Sequence, residues 1–159
     1  NRGHDGFTIH GVKRILEKEC ILKRPDVVSI LIGCNDVGVM MNTGKSLEEQ
    51  QFEACYEAIV KEITEQSDAK LICMSPFIVP YPRMYENWIQ GIKQTERIEK
   101  KIAEKYHADF LALQDMIILK TEKVGYESVT TDGIHLTEYG NEIIAGAWLQ
   151  LFEKIKDGD

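Results

Sequence analysis

The sequence lacks a long hydrophobic run, a concentration of basic residues and any pair of closely spaced cysteines. No segment approaches the ~18 consecutive apolar residues of a membrane-spanning helix, which argues against a membrane protein. Its 19 lysine and arginine residues are outnumbered by 26 aspartate and glutamate residues and are spread along the chain. A nucleic-acid surface requires a basic face, so a nucleic-acid partner is not expected.

The four cysteines and four histidines do not form a metal-binding pattern. No two cysteines stand at the short spacing of a zinc site, and the histidines show no ligand spacing. We therefore expect no metal and no cofactor. The cysteines lie in or beside apolar segments, which favours reduced thiols and a reducing, cytoplasmic compartment.

What the sequence does contain is an alternation of short apolar runs and amphipathic segments. Three runs are typical of strands, and we predict them at Val27–Ile32, Lys70–Ser75 and Ala108–Leu113. The first is almost entirely apolar and rich in β-branched residues, which predicts a strand buried on both faces of a parallel sheet.

Apolar residues at helical spacing predict four helices around these strands. The helical segments are Val12–Cys20, Phe52–Ile63 preceded by a Ser46–Glu49 capping box, Trp88–Tyr106, and Tyr139–Ile155 with Thr137 as N-cap. The order α-β-α-β-α-β-α predicts a single domain with a parallel sheet between two helical layers. Ligands of such sheets bind beyond the carboxyl ends of the strands.

Two of the segments that follow strands carry residues with recognisable chemistry. Asp132 precedes His135 by three residues, so its carboxylate can hold one ring nitrogen and leave the other free as a base. Asn35, directly after the first strand, can donate its amide to an oxyanion, while Asp36 can support that loop. Each pattern alone is also compatible with an ordinary turn. Nothing in the sequence lowers the pKa of Cys34, so a thiol nucleophile is not favoured.

A third segment, "NRGHDGFT" (residues 1–8), has two glycines ahead of a helical stretch. Exposed backbone N–H groups before a helix can bind an anion or an oxyanion. A flexible turn would have the same composition, so this segment carries weight only in combination with the other two.

Together the three segments resemble the conserved blocks of the SGNH, or GDSL-like, hydrolase superfamily. "NRGHDGFT" is similar to its glycine block, "GCND" to its G-x-N-D block and "DGIHLT" to its D-x-x-H block. The resemblance implies a flavodoxin-like three-layer α/β/α fold with a central parallel sheet of about five strands in the order 2-1-3-4-5. The first two strands would precede Asn1.

The resemblance also implies the role of each residue in hydrolysis of an ester through an acyl-enzyme. Gly6 would donate its backbone N–H, and Asn35 its side-chain amide, to the oxyanion. His135 would be the general base and Asp132 would orient it. The substrate would be a small short-chain acyl ester, such as an acetylated carbohydrate, with Phe77, Tyr81 and Ile134 as candidate pocket residues.

The nucleophilic serine of the family's G-D-S block is absent from the sequence. None of the five serines follows a Gly-Asp pair. Three explanations remain open: an N-terminal segment that precedes Asn1, a cleaved chain whose other part stays bound, or a natural pseudoenzyme. The central position implied for Val27–Ile32 favours the first two explanations over a pseudoenzyme, since an unpaired edge there would expose apolar residues. We therefore expect residues 1–159 to form one domain that is incomplete at its N-terminus.

Two further interpretations compete with an esterase. One is a catalytically inactive SGNH-like domain that binds acylated glycans, which would have another residue in place of the serine. The other is an unrelated flavodoxin-like module that binds a phosphate or a nucleotide. This last interpretation gives no reason for Asn35 or for the Asp132–His135 pair.

Overall fold

A parallel β-sheet forms the centre of the fold in the computed structural model, which describes residues 1–81 and 83–157. The strands are β1 (Val27–Leu31), β2 (Lys70–Met74) and β3 (Asp109–Leu111), in the spatial order β1-β2-β3. Both neighbouring pairs are parallel, and Ile30 of β1 lies opposite Cys73 of β2. All three strands therefore end at the same edge of the sheet.

Seven helices surround the sheet within the described residues. They are α1 (Ile9–Glu19), α2 (Cys34–Thr43), α3 (Phe52–Gln66), α4 (Ile89–Lys105), α5 (Gln114–Val124), α6 (Tyr126–Val129) and α7 (Glu138–Asp157). Short 3-10 helices at Ile21–Lys23 and Arg83–Trp88 precede β1 and α4. No helix in this part of the chain is both long and apolar enough to cross a membrane.

The two faces of the sheet are covered by different helices. Cys73 of β2 packs in a core with α1, α3 and α4, which contains Leu16, Tyr56 and Ile102. Its neighbour Ile72 points to the opposite face and packs beneath α5 and α7. This alternation follows from the two-residue period of a strand and confirms the predicted α/β/α layers.

The prediction that β1 is buried on both faces is wrong for the described residues. Ser29 is exposed and Leu31 is 45% exposed, because β1 lies at an edge of the sheet and pairs only with β2. The described residues contain three strands, fewer than the five implied by the resemblance.

The predicted order of elements omitted three helices, namely α2, α5 and α6. Ser46 and Glu49 do form the reciprocal bonds of a capping box, with Ser46 N donating to Glu49 Oε2 at 2.8 Å and Glu49 N donating to Ser46 Oγ at 3.1 Å. The box closes a separate turn, however, and α3 begins only at Phe52, after Gln51 in a left-handed conformation. The predicted Thr137 cap is confirmed, since Thr137 Oγ1 accepts a bond from Gly140 N at 3.1 Å.

A buried acid lies beneath the carboxyl end of β1. Glu99 of α4 is fully buried, and within the described residues its carboxyl oxygens have no hydrogen-bond partner. A Cβ added to Gly33 would lie 3.4 Å from Glu99 Oε1, so the acid packs directly against the turn that leads into α2. Burial, followed by the negative charges of Asp36 and Glu96, raises the pKa of Glu99 well above its ordinary value.

Raising the pH from 5 to 8 is expected to destabilise the Glu99→Gln variant less than the wild type. A carboxyl whose pKa is higher in the folded than in the unfolded state binds more protons when folded, so stability falls as pH rises from its ordinary pKa to its raised pKa. Glutamine does not ionise and removes this contribution. Thermal unfolding at both pH values measures the effect, with exposed Glu104→Gln on the same helix as control. An equal change of Tm in the wild type and Glu99→Gln would contradict the prediction.

Candidate active site

Asp132 and His135 form the hydrogen-bonded pair that their spacing predicts. His135 Nδ1 lies 2.7 Å from Asp132 Oδ2. Because the carboxylate can only accept, Nδ1 donates to it, and in the neutral imidazole Nε2 is then left as an acceptor. The other oxygen, Asp132 Oδ1, accepts bonds from the backbone N–H groups of Ile134 at 2.9 Å and His135 at 2.8 Å.

These bonds fix the charge of the aspartate. The backbone N–H of His135, then its side chain and the N–H of Ile134, lower the pKa of Asp132 to about 2. The carboxylate therefore stays ionised at any pH near neutrality. It can hold the imidazole in one tautomer and stabilise the imidazolium that forms when Nε2 takes a proton.

The loop that carries the pair is tied to the end of α6. Thr130 Oγ1 donates to the His135 carbonyl at 2.8 Å and accepts a bond from Gly133 N at 2.7 Å. Thr131 N donates to the same His135 carbonyl at 2.9 Å. Two adjacent threonines thus close the turn and set the position of the imidazole.

Gly133 also ties this loop to the segment after β2. Val79 N donates to the Gly133 carbonyl at 2.8 Å. Gly133 has φ +96°, and a Cβ there would lie 2.4 Å from Tyr81 O and 2.8 Å from Val79 O. Both the backbone conformation and the contact with two carbonyl groups therefore require glycine.

Gly133→Ala is expected to destabilise the protein by about 3 kcal/mol or more, because the strained φ and the clash with backbone oxygens add. Displacing the loop should also lower the rate of the ester hydrolysis that the family resemblance implies at least tenfold, since small misplacements of a base are costly. Thermal unfolding and kcat/KM measure the two effects.

Gly44→Ala is the matched control for this substitution. Gly44 has φ +77° and no atom within 4 Å of an added Cβ, so alanine there meets only the left-handed strain of about 1–2 kcal/mol. If both variants lose the same amount of stability and activity, the close approach of Gly133 to the Val79–Tyr81 segment contributes to neither.

Asn35 and Asp36 lie in the first turn of α2, where the sequence predicted a loop. Asn35 Nδ2 donates to the Phe7 carbonyl at 2.9 Å, which leaves its second N–H for another acceptor. Asp36 is fully buried and accepts the backbone N–H of Ile9 through Oδ1 at 3.1 Å and Oδ2 at 3.2 Å. The glycine block therefore lies directly against the G-x-N-D block.

Asp36 acts as the cap of α1. Thr8, the residue at the N-cap position, makes no side-chain bond to the helix, and Asp36 supplies the carboxylate from α2 instead. Burial raises the pKa of Asp36 to about 6, although the N–H of Ile9 and the charge of His10 favour the ionised form. Asp36 therefore lies in a helix and holds the backbone at Ile9, and its supporting function at the site stays a prediction.

The D-x-x-H loop meets the start of α2 through packing. Cys34 and Ile134 both contact a buried cluster that contains Val37, Trp88 and Ile92. Burial, followed by the charges of Asp36 and Asp132, raises the pKa of the Cys34 thiol to about 11. Cys34 is therefore a poor nucleophile, in agreement with the sequence interpretation.

The predicted oxyanion and pocket residues differ in their surroundings. Gly6 has φ +73° and open space around it, next to Phe7, whose carbonyl binds Asn35. Ile134, within the D-x-x-H loop, has a partly buried side chain, and Tyr81, beside that loop, is exposed. Phe77 is 8% exposed and packs in the core beneath α5 and α7, so it offers little surface to a ligand.

All five serine hydroxyls are engaged away from His135. Each makes a hydrogen bond to another residue: Ser29 with Trp148, Ser46 with Glu49, Ser67 with Ile63, Ser75 with Glu96 and Leu113, and Ser128 with Val124. None of these contacts joins a serine to an imidazole. The pair of Asp132 and His135 thus has no serine partner among the described residues.

A groove of about 760 Å³ runs along the free edge of β1. It is lined by residues 1–4 and Phe7, one side of α1, and the whole length of β1. β1 ends at Leu31, shortly before Asn35, so the carboxyl end of the groove leads toward the start of α2. Within residues 1–81 and 83–157, no group of three or more His, Cys, Asp or Glu side chains could hold a metal ion.

The model of the GDSL-like Lipase/Acylhydrolase family matches residues 1–143. An acetylxylan esterase from Geobacillus stearothermophilus is 28% identical over 155 residues, which cover 94% of this chain and 69% of the relative.

Solved structures agree with the sequence comparisons. The crystal structure of that acetylxylan esterase superposes with a TM-score of 0.76 at 28% identity, covering 95% of this chain and 70% of the other. An alpha/beta hydrolase enzyme from the metagenome of Lake Arreo, Spain, gives a TM-score of 0.82 at 18% identity, covering 95% and 70%, and shows the shared fold. Structures of catalytic mutants of the acetylxylan esterase, with an aspartate, a serine or a histidine replaced by alanine, are also similar.

Proposed function

The chain belongs to the GDSL-like lipase/acylhydrolase family, and on this premise we propose that it is a serine-type ester hydrolase that acts through an acyl-enzyme. His135 is the general base and Asp132 orients it. Gly6 N–H and the free N–H of Asn35 hold the oxyanion. The nucleophile is a serine in a segment that precedes Asn1.

The Asp132–His135 hydrogen bond of 2.7 Å carries this proposal. An aspartate that stays ionised and binds Nδ1 leaves Nε2 of the imidazole open to accept a proton. Catalytic mutants of the similar acetylxylan esterase replace an aspartate and a histidine that are also three positions apart. The same chemistry at the same spacing supports the assignment.

The groove along β1 supports the position of the nucleophile. A strand that pairs in parallel with the free edge of β1 would end beside the start of α2, close to Asn35. The catalytic serine of the acetylxylan esterase lies near the start of its chain, far ahead of its aspartate and histidine. A segment that pairs with β1 could therefore bring a serine to His135.

The reaction follows from these positions. His135 Nε2 takes the serine proton while the serine oxygen attacks the ester carbonyl, and the developing oxyanion accepts bonds from Gly6 and Asn35. The imidazolium then donates its proton to the leaving alcohol, and the carbon–oxygen bond to that alcohol breaks. Water, activated by the same Nε2, releases the acid and regenerates the serine.

The proposed substrates are short-chain acyl esters, and acetylated carbohydrates in particular. The exposed rings of Tyr81 and Tyr126 lie next to the D-x-x-H loop, and an acetylxylan esterase is among the proteins to which the chain is similar. Exposed aromatic rings with polar hydroxyl groups suit a small acyl group on a polar alcohol better than a long acyl chain.

Labelling of the full-length protein with a fluorophosphonate probe tests the proposal. We expect one covalent adduct by intact mass, mapped to a serine that precedes Asn1, and no adduct in the His135→Ala variant. An adduct on one of the five serines of this chain would overturn the assignment of the nucleophile. No adduct and no hydrolysis of acetyl esters, with retained binding of acylated glycans, would show an inactive binding domain instead.

A further inference from the structure

Two exposed tyrosines stack on each other beside the D-x-x-H loop. The rings of Tyr81 and Tyr126 have centroids 5.5 Å apart and planes only 1° from parallel. Tyr81 is 44% exposed and Tyr126 is 39% exposed. Because they come from the segment after β2 and from the first residue of α6, only the folded chain brings them together.

This tyrosine pair is held to the proposed catalytic loop from two sides. The Tyr81 carbonyl lies within 2.4 Å of a Cβ added to Gly133, so its backbone contacts that loop directly. Tyr126 begins α6, and its carbonyl accepts a bond at 2.9 Å from Thr130 N. Thr130 in turn binds the His135 carbonyl at 2.8 Å. The pair therefore has a fixed position relative to His135.

The chemistry of the pair fits a sugar ring. Each tyrosine presents a flat apolar face with a negative quadrupole and a polar hydroxyl at its edge. A pyranose ring has C–H groups on its faces, which suit an aromatic face, and hydroxyl groups around its rim, which suit phenol oxygens and water. A long acyl chain would instead require a deep apolar channel.

We propose that Tyr81 and Tyr126 form a carbohydrate subsite that binds a sugar ring of an acetylated oligosaccharide while the acetyl group reaches His135. This inference rests on the proposed ester hydrolysis, since it names the alcohol part of the same substrate. The subsite makes the alcohol part contribute to binding, whereas the chemical step depends on Asp132, His135 and the oxyanion donors.

Kinetics on two substrates test the subsite in the full-length protein. Tyr126→Ala and Tyr81→Ala should each raise KM for an acetylated xylooligosaccharide about tenfold, the loss expected for one aromatic contact. In Tyr126→Ala, hydrolysis of 4-nitrophenyl acetate, which has no sugar, should stay within about twofold of the wild-type rate. Tyr126→Phe keeps the ring and should retain most of the binding. Leu22→Ala is the control, because it removes an exposed apolar side chain that precedes β1 and lies at the amino ends of the strands.

Direct binding distinguishes failure of the subsite from failure of the proposed hydrolysis. The affinity of the His135→Ala protein for the same oligosaccharide, measured by calorimetry, should fall about tenfold when Tyr126→Ala is added. In one outcome the wild type hydrolyses both substrates, while the tyrosine variants keep both activities or lose both equally. In that case the subsite is refuted and the proposed hydrolysis stands. If the wild type hydrolyses neither substrate but Tyr126→Ala still weakens binding, the hydrolase is refuted and the subsite remains.

Discussion

His135→Ala is expected to lower the rate of ester hydrolysis by about 10³-fold or more, with a folded protein remaining. The imidazole is exposed, and its hydrogen-bond partner Asp132 is also solvent-accessible, so its loss leaves no cavity. What disappears is the proton acceptor at Nε2, without which the serine remains a neutral and weak nucleophile. Steady-state kcat and KM with 4-nitrophenyl acetate, together with a thermal melt, separate loss of chemistry from loss of fold.

His107→Asn is the matched control for this experiment. His107 precedes β3 and therefore lies at the amino ends of the strands, away from the candidate site at their carboxyl ends. Its backbone has a left-handed conformation that asparagine tolerates. Its activity should equal that of the wild type. Wild-type hydrolysis in His135→Ala would remove the imidazole from the mechanism and with it the reading of Asp132 as its orienting partner.

Asn35→Ala is expected to reduce kcat by about 10²–10³-fold with a small change in KM, as for loss of one oxyanion donor. The oxyanion exists only after attack on the carbonyl, so its donors act on the transition state more than on the bound ester. Alanine also removes the bond to the Phe7 carbonyl, which holds the glycine block against α2. Steady-state kinetics of the full-length protein measure the effect.

Two further variants define the origin of that loss. Asn42 is exposed and lies near the C-terminal end of the same helix, so Asn42→Ala should leave kcat unchanged. Asn35→Asp keeps the size of the side chain but removes both N–H donors, so it should be as slow as alanine. A rise in KM at constant kcat in Asn35→Ala would indicate that the amide binds substrate and does not stabilise the oxyanion.

The strands and the long helices could be predicted because their patterns are local. The three apolar runs became β1, β2 and β3 with ends shifted by one or two residues. Helix α2 could not be predicted, because Asn35 and Asp36 in its first turn are residues that favour turns, and because it contains Gly38. Gly38 is tolerated since the ring of Trp88 packs 3.2 Å from where its Cβ would be. Because Gly38 and Trp88 are distant in the sequence, no local sequence pattern predicts this contact.

The candidate site was predictable where its chemistry lies within a few residues. Asp132 and His135 are three positions apart, and the structure shows their contact at 2.7 Å. The hydrogen bond from Ile9 N to Asp36 joins residues 27 positions apart, and no spacing or periodicity of the sequence predicts it. The same holds for Tyr126 of the proposed carbohydrate subsite, because its ring partner Tyr81 is brought near only by folding.

The joint anchoring of the glycine and G-x-N-D blocks restricts how the proposed oxyanion donors can change. Asp36 holds Ile9, Asn35 holds Phe7, and the side chain of Gln50 donates to the Asp36 carbonyl at 3.1 Å. A shift of α1 would therefore move both nitrogen donors in concert. Substitutions at either block should behave non-additively in double-mutant cycles, and adaptation to a differently shaped acyl group would require compensating changes in both blocks at once.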